Sequence, residues 1–325
     1  MMSSFKVLIP QAIDHRGIEV LEQGDCEVIL PDAYDEATLK KVIGNCDAVL
    51  VRTAKISKEL IENATKLKII ARHGVGLDNV DIQAASERNI YVCNAPSANI
   101  NSVAEHVVGL MLGISHQIVR ADKALRRDEF HVRNTYIGTE VRGKTLGLIG
   151  LGNIGRLVAE KCALGLGMKV IAFDPYIKES GKEYIELVES IDELMAESDF
   201  VSLHVPYSPK LHHFISKELL EKMKPSAFFI NAARGGLVDE KALYHLLSTK
   251  KIAGAGLDCF EEEPTPANHP FWSLENVIVT PHMAAHSQEA MIAMAVDPAN
   301  EILRVKNNQK PLNCVNLSQL TYQTN

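Results

Sequence analysis

Short runs of apolar and β-branched residues recur along the chain, each four to six residues long and closed by Pro, Gly, Asn or Asp. FKVLIP (5–10), CEVILP (26–31), DAVLV (47–51), LKIIA (67–71) and IYVCNA (90–95) form the first series. Their richness in Val and Ile, without a sustained period-2 alternation, predicts buried strands of a parallel sheet. Between them lie segments such as DEATLKKVIGN and SKELIENATK, with apolar residues at helical spacing. The result is a series of βαβ units.

At Asn99 the pattern changes. NINSVAEHVVGLMLGISHQIVRADKALRRDEF keeps helical spacing for about 30 residues without a strand. This predicts one long connecting helix, with Ser102 and Glu105 spaced as a capping box, followed by an arm over 128–142. A second series then begins: KTLGLIG, KVIAFDP, FVSLHVP, AFFINAA, GAGLDCF and NVIVTPH predict six further strands. In the last helical stretch, SQEAMIAMAVDPANEILRVKNN, Pro298 lacks a backbone donor and should kink or end the helix. Two α/β units result, as 325 residues would suggest at about 150 per domain.

Composition narrows the class. The hydrophobic fraction of 46%, charged fraction of 23% and mean hydropathy of -0.02 are those of a globular protein. No apolar run approaches the ~18 residues a bilayer requires, and MMSSFKVLIPQAID lacks the long apolar core of a leader, so no membrane association is expected. Cys26, Cys46, Cys93, Cys162, Cys259 and Cys314 include no Cys-x-x-Cys pair, which argues against a zinc ribbon or disulfide framework and for a reducing, cytoplasmic setting. With 34 basic against 41 acidic residues and a formal charge of -7, nucleic acid is not an expected partner.

Gly150, Gly152 and Gly155 spell G-x-G-x-x-G between the strand KTLGLI and the helical pattern NIGRLVAEKCALGLG. In that context the first glycine permits a tight turn, the second lets backbone approach a pyrophosphate and the third lets helix pack on strand. The helix N-terminus faces the phosphates. Asp174, nineteen residues after Gly155 and ending the strand KVIAFD, is placed to accept bonds from ribose hydroxyls and to repel a 2′-phosphate, which selects NAD over NADP.

Three later strand ends carry reactive groups: Arg234 after AFFINAA, the Glu261-Glu262-Glu263 run after GAGLDCF, and His282 after NVIVTP. Hydride exchange with nicotinamide requires a partner for the hydroxyl proton, and His282 is the candidate. Glu263 could orient its ring and stabilise its protonated form. Arg234 offers a planar fork for a substrate carboxylate. His282 and His286 stand four apart, but without a companion Glu or third ligand no metal is expected.

The segments RHGVGLDNVD (72–81), GKTLGLIGLGNIGR (143–156), SLHVP (202–206), INAARGGLVDEKAL (230–243), GAGLDCFEEEP (254–264) and NVIVTPHMAAHS (276–287) occur in the order of the D-2-hydroxyacid dehydrogenase family, and the chain resembles that family, in particular its phosphoglycerate-oxidising branch. The resemblance implies two doubly wound parallel-sheet domains. A Rossmann NAD-binding domain (99–289, with a dimerisation arm at 99–142) is inserted into a flavodoxin-like substrate domain (1–98 plus 290–325). It implies Arg234, Glu263 and His282 as the catalytic trio. Along the cofactor it implies Gly150, Gly152, Asn153, Ile154, Gly155, Asp174, His204, Val205, Pro206, Ala233, Arg234, Asp258 and His282. Arg52, Val75 and Gly76 would meet the substrate together with Arg234 and His282, and the molecule would be a homodimer.

Two features depart from that branch. No carboxyl-terminal regulatory domain is expected, nor feedback through one, and the residues after the catalytic His read Met283-Ala284-Ala285-His286. Arg52 at the far end of the substrate favours 3-phosphoglycerate and phosphohydroxypyruvate, with hydroxypyruvate and glyoxylate as alternatives. Corepressors that resemble this family use NAD as a conformational ligand. The lack of a long disordered tail or basic stretch favours an enzyme.

Overall fold

The computed structural model describes residues 4–321. The expectations for the first three and last four residues, in the leader reading and the domain limits, lie outside them. The chain divides into two units, one running up to Asn99 and resuming at His286, the other Ile100–Ala285.

In the first unit the βαβ pattern yields β1 (Phe5–Leu8), α1 (His15–Gln23), β2 (Cys26–Ile29), α2 (Glu36–Ile43), β3 (Ala48–Val51), α3 (Lys58–Asn63), β4 (Ile69–Arg72), α4 (Ile82–Glu87) and β5 (Tyr91–Cys93). Every strand pairing is parallel, in the order β2-β1-β3-β4-β5, the flavodoxin-like order. Side-chain caps fix the helix starts: Asp14, Asp35, Ser57 and Asp81 accept from Arg16, Thr38, Leu60 and Ala84 N–H groups. The strands are apolar on both faces because helices cover both. Val49 and Val51 pack with Leu39, Ile43 and Leu60, while Ala48 and Leu50 pack with Leu21, Ala299 and Ile302.

The second unit contains α5 (Ile100–Ser115), α6 (Ile118–Leu125), β6 (Thr145–Ile149), α7 (Asn153–Glu160), β7 (Lys169–Phe173), β8 (Glu186–Leu187), α8 (Ile191–Glu197), β9 (Phe200–Leu203), α9 (Lys217–Leu220), β10 (Phe228–Asn231), α10 (Glu240–Ser248), β11 (Gly254–Leu257) and β12 (Val277–Val279). Its parallel sheet runs β12-β11-β10-β9-β6-β7-β8. Counted within the unit this is 7-6-5-4-1-2-3, the Rossmann order with one strand added, and its switch point lies between β6 and β9. Back in the first unit, α11 (Gln288–Lys306) covers the sheet and packs on α1, where Gly17 leaves room for Ala295 alone: a Cβ there would lie 2.8 Å from the Ala295 Cβ.

Four local expectations are corrected. The long connecting helix is two helices, because Gln117 adopts a left-handed conformation (φ 56°) and its Nε2 donates to Ile137 O at 2.6 Å. Ser102 lies inside α5, which starts at Ile100, so it is not the residue preceding the helix, and its hydroxyl donates to Ala284 O at 2.7 Å. Pro298 does not end α11: the helix continues through it, with Pro298 buried. The two-residue strand β8 has no hydrophobic run to announce it.

The tail after α11 is held by polar groups. The carboxylate of Glu301, 3% exposed, accepts from Leu312 N, Asn313 N and Asn313 Nδ2. Asn316, fully buried, accepts from Val92 N and donates to Ile90 O and Ser86 Oγ, satisfying the open edge of β5.

Candidate functional site

The glycine turn lies at the switch point of the second sheet. Gly150 has φ 94°, and a Cβ on it would approach His204 O to 2.8 Å. A Cβ on Gly155 would come within 2.4 Å of Gly150 O, whereas one on Gly152 would meet nothing within 4 Å. Two glycines are therefore required by packing, and the third keeps a surface bare for a ligand. Gly152 caps α7 with no side-chain bond, so the first N–H groups of the helix, from Asn153, Ile154 and Gly155, are suited to a pyrophosphate. His204, Val205 and Pro206 leave β9 on the other side of the switch point. Desolvation lowers His204 to about 4, which keeps the ring neutral.

Asp174 ends β7 and organises the turn. Its Oδ2 accepts from Leu151 N at 2.9 Å and its Oδ1 from Tyr176 N at 3.0 Å. Each oxygen retains acceptor capacity for a hydroxyl donor. The residues present fit a dinucleotide: a bare glycine turn, an open helix terminus and a carboxylate tied to that turn.

The chemical groups stand at the carboxyl ends of β10, β11 and β12. His282 Nδ1 lies 2.6 Å from Glu263 Oε2. A carboxylate only accepts, so Nδ1 carries the proton and Nε2 is left for exchange. Glu263 Oε1 accepts from Phe260 N at 3.0 Å. Burial pushes the Glu263 carboxyl up, but the bonds from His282 and Phe260 and the charges of His282 and Arg234 outweigh it and hold the group below its ordinary value. Of the neighbouring glutamates, Glu261 turns to His213 at 2.5 Å. A cavity of about 450 Å³ opens beside the pair, lined by Phe260, Pro264, Trp272 and Val279.

His282 has φ 50°, a region few residues with a Cβ adopt. Its N–H donates to Asp258 O at 2.8 Å. Asp258, fully buried, accepts from Thr280 Oγ1 at 2.6 Å and from Met283 N and Ala284 N at 2.9 Å each. The carboxylate at this position thus fastens the loop that presents His282. His106 closes the network through Thr280 Oγ1 at 3.0 Å.

Arg234 follows β10 in a turn shaped by Asn231, whose Oδ1 accepts from Ala233 N and whose Nδ2 donates to Arg234 O, each at 3.0 Å. Arg234 Nη1 donates to Ala233 O at 2.7 Å. Gly235 must be glycine here, since a Cβ would lie 1.9 Å from the Phe260 carbonyl carbon. Cys259, 2% exposed, lies near Glu263 and His282, and burial raises its thiol well above the ordinary range.

In the first unit Arg52 directly follows β3, and its Nη2 is 3.3 Å from His286 Nε2. Val75 and Gly76 follow β4, where Val75 O accepts from Asn94 Nδ2 at 2.8 Å. Sequence reasoning missed the positioning roles of Asn231, Thr280 and His106 and the contact of His286. Asn231 did leave a signal, as the one amide ending the apolar run AFFIN.

A doubly wound sheet with a bare glycine turn at its switch point places the second unit among the dinucleotide-binding α/β domains. The chain belongs to the D-isomer specific 2-hydroxyacid dehydrogenase family, whose NAD binding domain matches residues 108–284. It is similar to a D-3-phosphoglycerate dehydrogenase of Methanocaldococcus jannaschii, 43% identical over 319 residues, which are 97% of this chain and 60% of that protein. It is also similar to a hydroxypyruvate reductase of Thermotoga maritima, 40% identical over 308 residues, 93% of this chain and 99% of that one. Among solved structures, D-lactate dehydrogenase from Aquifex aeolicus complexed with NAD and lactic acid superimposes with a TM-score of 0.83 at 28% identity, covering 93% of this chain and 96% of that chain. No helix among the described residues is long and apolar enough to cross a membrane.

Proposed function

We propose that the chain interconverts a D-2-hydroxy acid and its 2-oxo acid with NAD, and that the pair is 3-phosphoglycerate and phosphohydroxypyruvate. NAD, held by the glycine turn, the start of α7 and Asp174, supplies or accepts the hydride when bound. Arg234 holds the substrate carboxylate through its fork of N–H donors. His282 Nε2 gives a proton to the carbonyl oxygen in reduction and takes it from the hydroxyl in oxidation. Glu263 holds Nδ1–H, fixes the tautomer and balances the charge that His282 carries when protonated. Arg52, with Val75 and Gly76, binds the far end of the substrate. The observation that carries this reading is the 2.6 Å contact of His282 with Glu263 at the strand ends of a dinucleotide-binding sheet.

A panel of 2-oxo acids with NADH, read by absorbance of the reduced nicotinamide, tests it. The kcat/KM for phosphohydroxypyruvate should exceed that for hydroxypyruvate by at least about tenfold, the worth of one charge-assisted contact. The second reading, a hydroxypyruvate reductase, has its support in the Thermotoga maritima relative, which is matched over nearly its whole length. A preference for the unphosphorylated acid would select it.

We further propose a cytoplasmic homodimer joined through the 99–142 arm, a segment that leaves Ile118, Leu125, Phe130 and Ile137 more than half exposed. Sedimentation equilibrium should give twice the chain mass, and Phe130→Asp should shift it toward monomer.

A further inference from the structure

The carboxyl ends of β3 and β4 are basic. Arg52 follows β3, Arg72 ends β4 and His73 comes next, while His286, just ahead of α11, brings its Nε2 to 3.3 Å from Arg52 Nη2. The Arg52 loop is built to hold position: Gln11 Oε1 accepts from Thr53 N and Ala54 N at 2.9 and 2.8 Å, and Asn79 Nδ2 donates to Ala54 O at 2.7 Å. His73 is 2% exposed, and its Nε2 has no hydrogen-bond partner among the described residues. Burial first, then the charges of Arg52 and Arg72, lower His73 to about 4, so it adds no charge of its own. Open α/β sheets bind ligands outside the carboxyl ends of their strands, and this end is equipped for an anion.

We infer that His286 is a specificity-determining residue which, with Arg52, seats an oxyanion carried at the far end of the 2-oxo or 2-hydroxy acid. The inference rests on the D-2-hydroxyacid chemistry proposed above. Arginine does not give up its proton, so in the contact Arg52 donates and His286 Nε2 accepts. A phosphate oxygen is a stronger, charged acceptor for the same Arg52 N–H. With Arg52 donating to the phosphate instead, the imidazole of His286 can present its N–H at Nε2 and donate to a second phosphate oxygen. A hydroxymethyl end, as in hydroxypyruvate, brings neither the charge nor the three oxygens. The chemistry recognised is that of a phosphate monoester.

The test uses the full-length enzyme and His286→Ala and His286→Asn, exposed substitutions that open no core cavity. Two quantities are measured: the ratio of kcat/KM for phosphohydroxypyruvate to that for hydroxypyruvate, and the inhibition constant of inorganic phosphate against hydroxypyruvate. In His286→Ala the ratio should fall about tenfold, chiefly through KM for the phosphorylated acid, and the phosphate inhibition constant should rise by a similar factor. His286→Asn, which keeps one donor, should lie between. A wild-type preference for the phosphorylated acid that His286→Ala leaves unchanged would overturn this inference while the D-2-hydroxyacid reading stands. A wild type that reduces no 2-oxo acid would overturn both.

Discussion

Replacing Asp258 removes a carboxylate that touches no solvent and carries three bonds, from Thr280 Oγ1, Met283 N and Ala284 N. In Asp258→Ala the Ala284 N–H, on a residue 4% exposed, loses its acceptor inside the protein, and an orphaned buried donor costs about 1–3 kcal/mol. The Met283 N–H has partial access to water, and Thr280 keeps His106, so these two losses cost less. Together they amount to about 3–5 kcal/mol, or a melting shift of roughly 6–20 °C for a domain of this size at about 2–4 °C per kcal/mol. Asp258→Asn keeps one acceptor but sets an amide NH2 against a backbone N–H, and should lose about half as much. Thr280→Val removes only the hydroxyl and should cost about 1 kcal/mol. Function should follow geometry: a loop released by about 1 Å at His282 lowers kcat by about 100-fold. Differential scanning calorimetry with and without NADH, and kcat on the same samples, give both numbers. An Asp258→Asn protein with wild-type melting and wild-type kcat would refute the reasoning.

Further outcomes follow from single positions. Arg234→Lys should lower kcat/KM by at least about 100-fold, because a point charge cannot reproduce the bidentate fork, and near-normal steady-state kinetics would rule the fork out. The wild type should prefer NADH to NADPH, and Asp174→Ser should weaken NADH binding and narrow that preference; equal use of both cofactors by the wild type would remove Asp174 from that role. Gly235→Ala should lower both melting temperature and activity, since the new methyl meets backbone at Phe260 that cannot yield. Stability should fall with pH from about 6.5 toward 4. His73, held neutral with a folded value of about 4 against an unfolded 6.5, costs nothing above 6.5, but the unfolded chain takes up its proton first as pH drops. The His73 share of the loss reaches about 3 kcal/mol at the low end, beside a contribution of the same sign from His204, and His73→Asn should remove only its own share from that part of the melting-temperature profile.

Much of the fold could be read because its strands are buried on both faces. VLIP, VILP and AVLV announce themselves as continuous runs, whereas the caps Asp14, Asp35, Ser57 and Asp81 emerged only with the structure. The break at Gln117 was hidden because the hydrophobic period passes through it undisturbed, and what bends the chain there is one backbone conformation and one amide bond to Ile137. Pro298 suggested an end to the helix that does not occur: a lost hydrogen bond is a local cost that burial of the helix against the sheet outweighs. At the site, the glycines, Arg234, Glu263 and His282 stood out as chemically unusual groups at strand ends. Asp258 entered only through the family resemblance, as a residue along the cofactor, and its three bonds to a loop about 25 residues later are a partnership that no local pattern encodes. The Arg52 contact with His286 spans 234 positions and emerges only once α11 has returned to the first sheet.

The central claim is that His282, held by Glu263, moves the substrate proton while NAD handles the hydride. The most direct measurement is single-turnover reduction of phosphohydroxypyruvate and hydroxypyruvate by saturating NADH in wild type and His282→Asn, with cofactor binding measured separately by fluorescence and the product resolved by chirality. The account predicts a D-2-hydroxy acid as sole product, a rate lower by about 100- to 10,000-fold in His282→Asn, and NADH affinity that remains measurable in the variant. A His282→Asn enzyme that turns over at close to the wild-type rate, or an L-configured product, would contradict it.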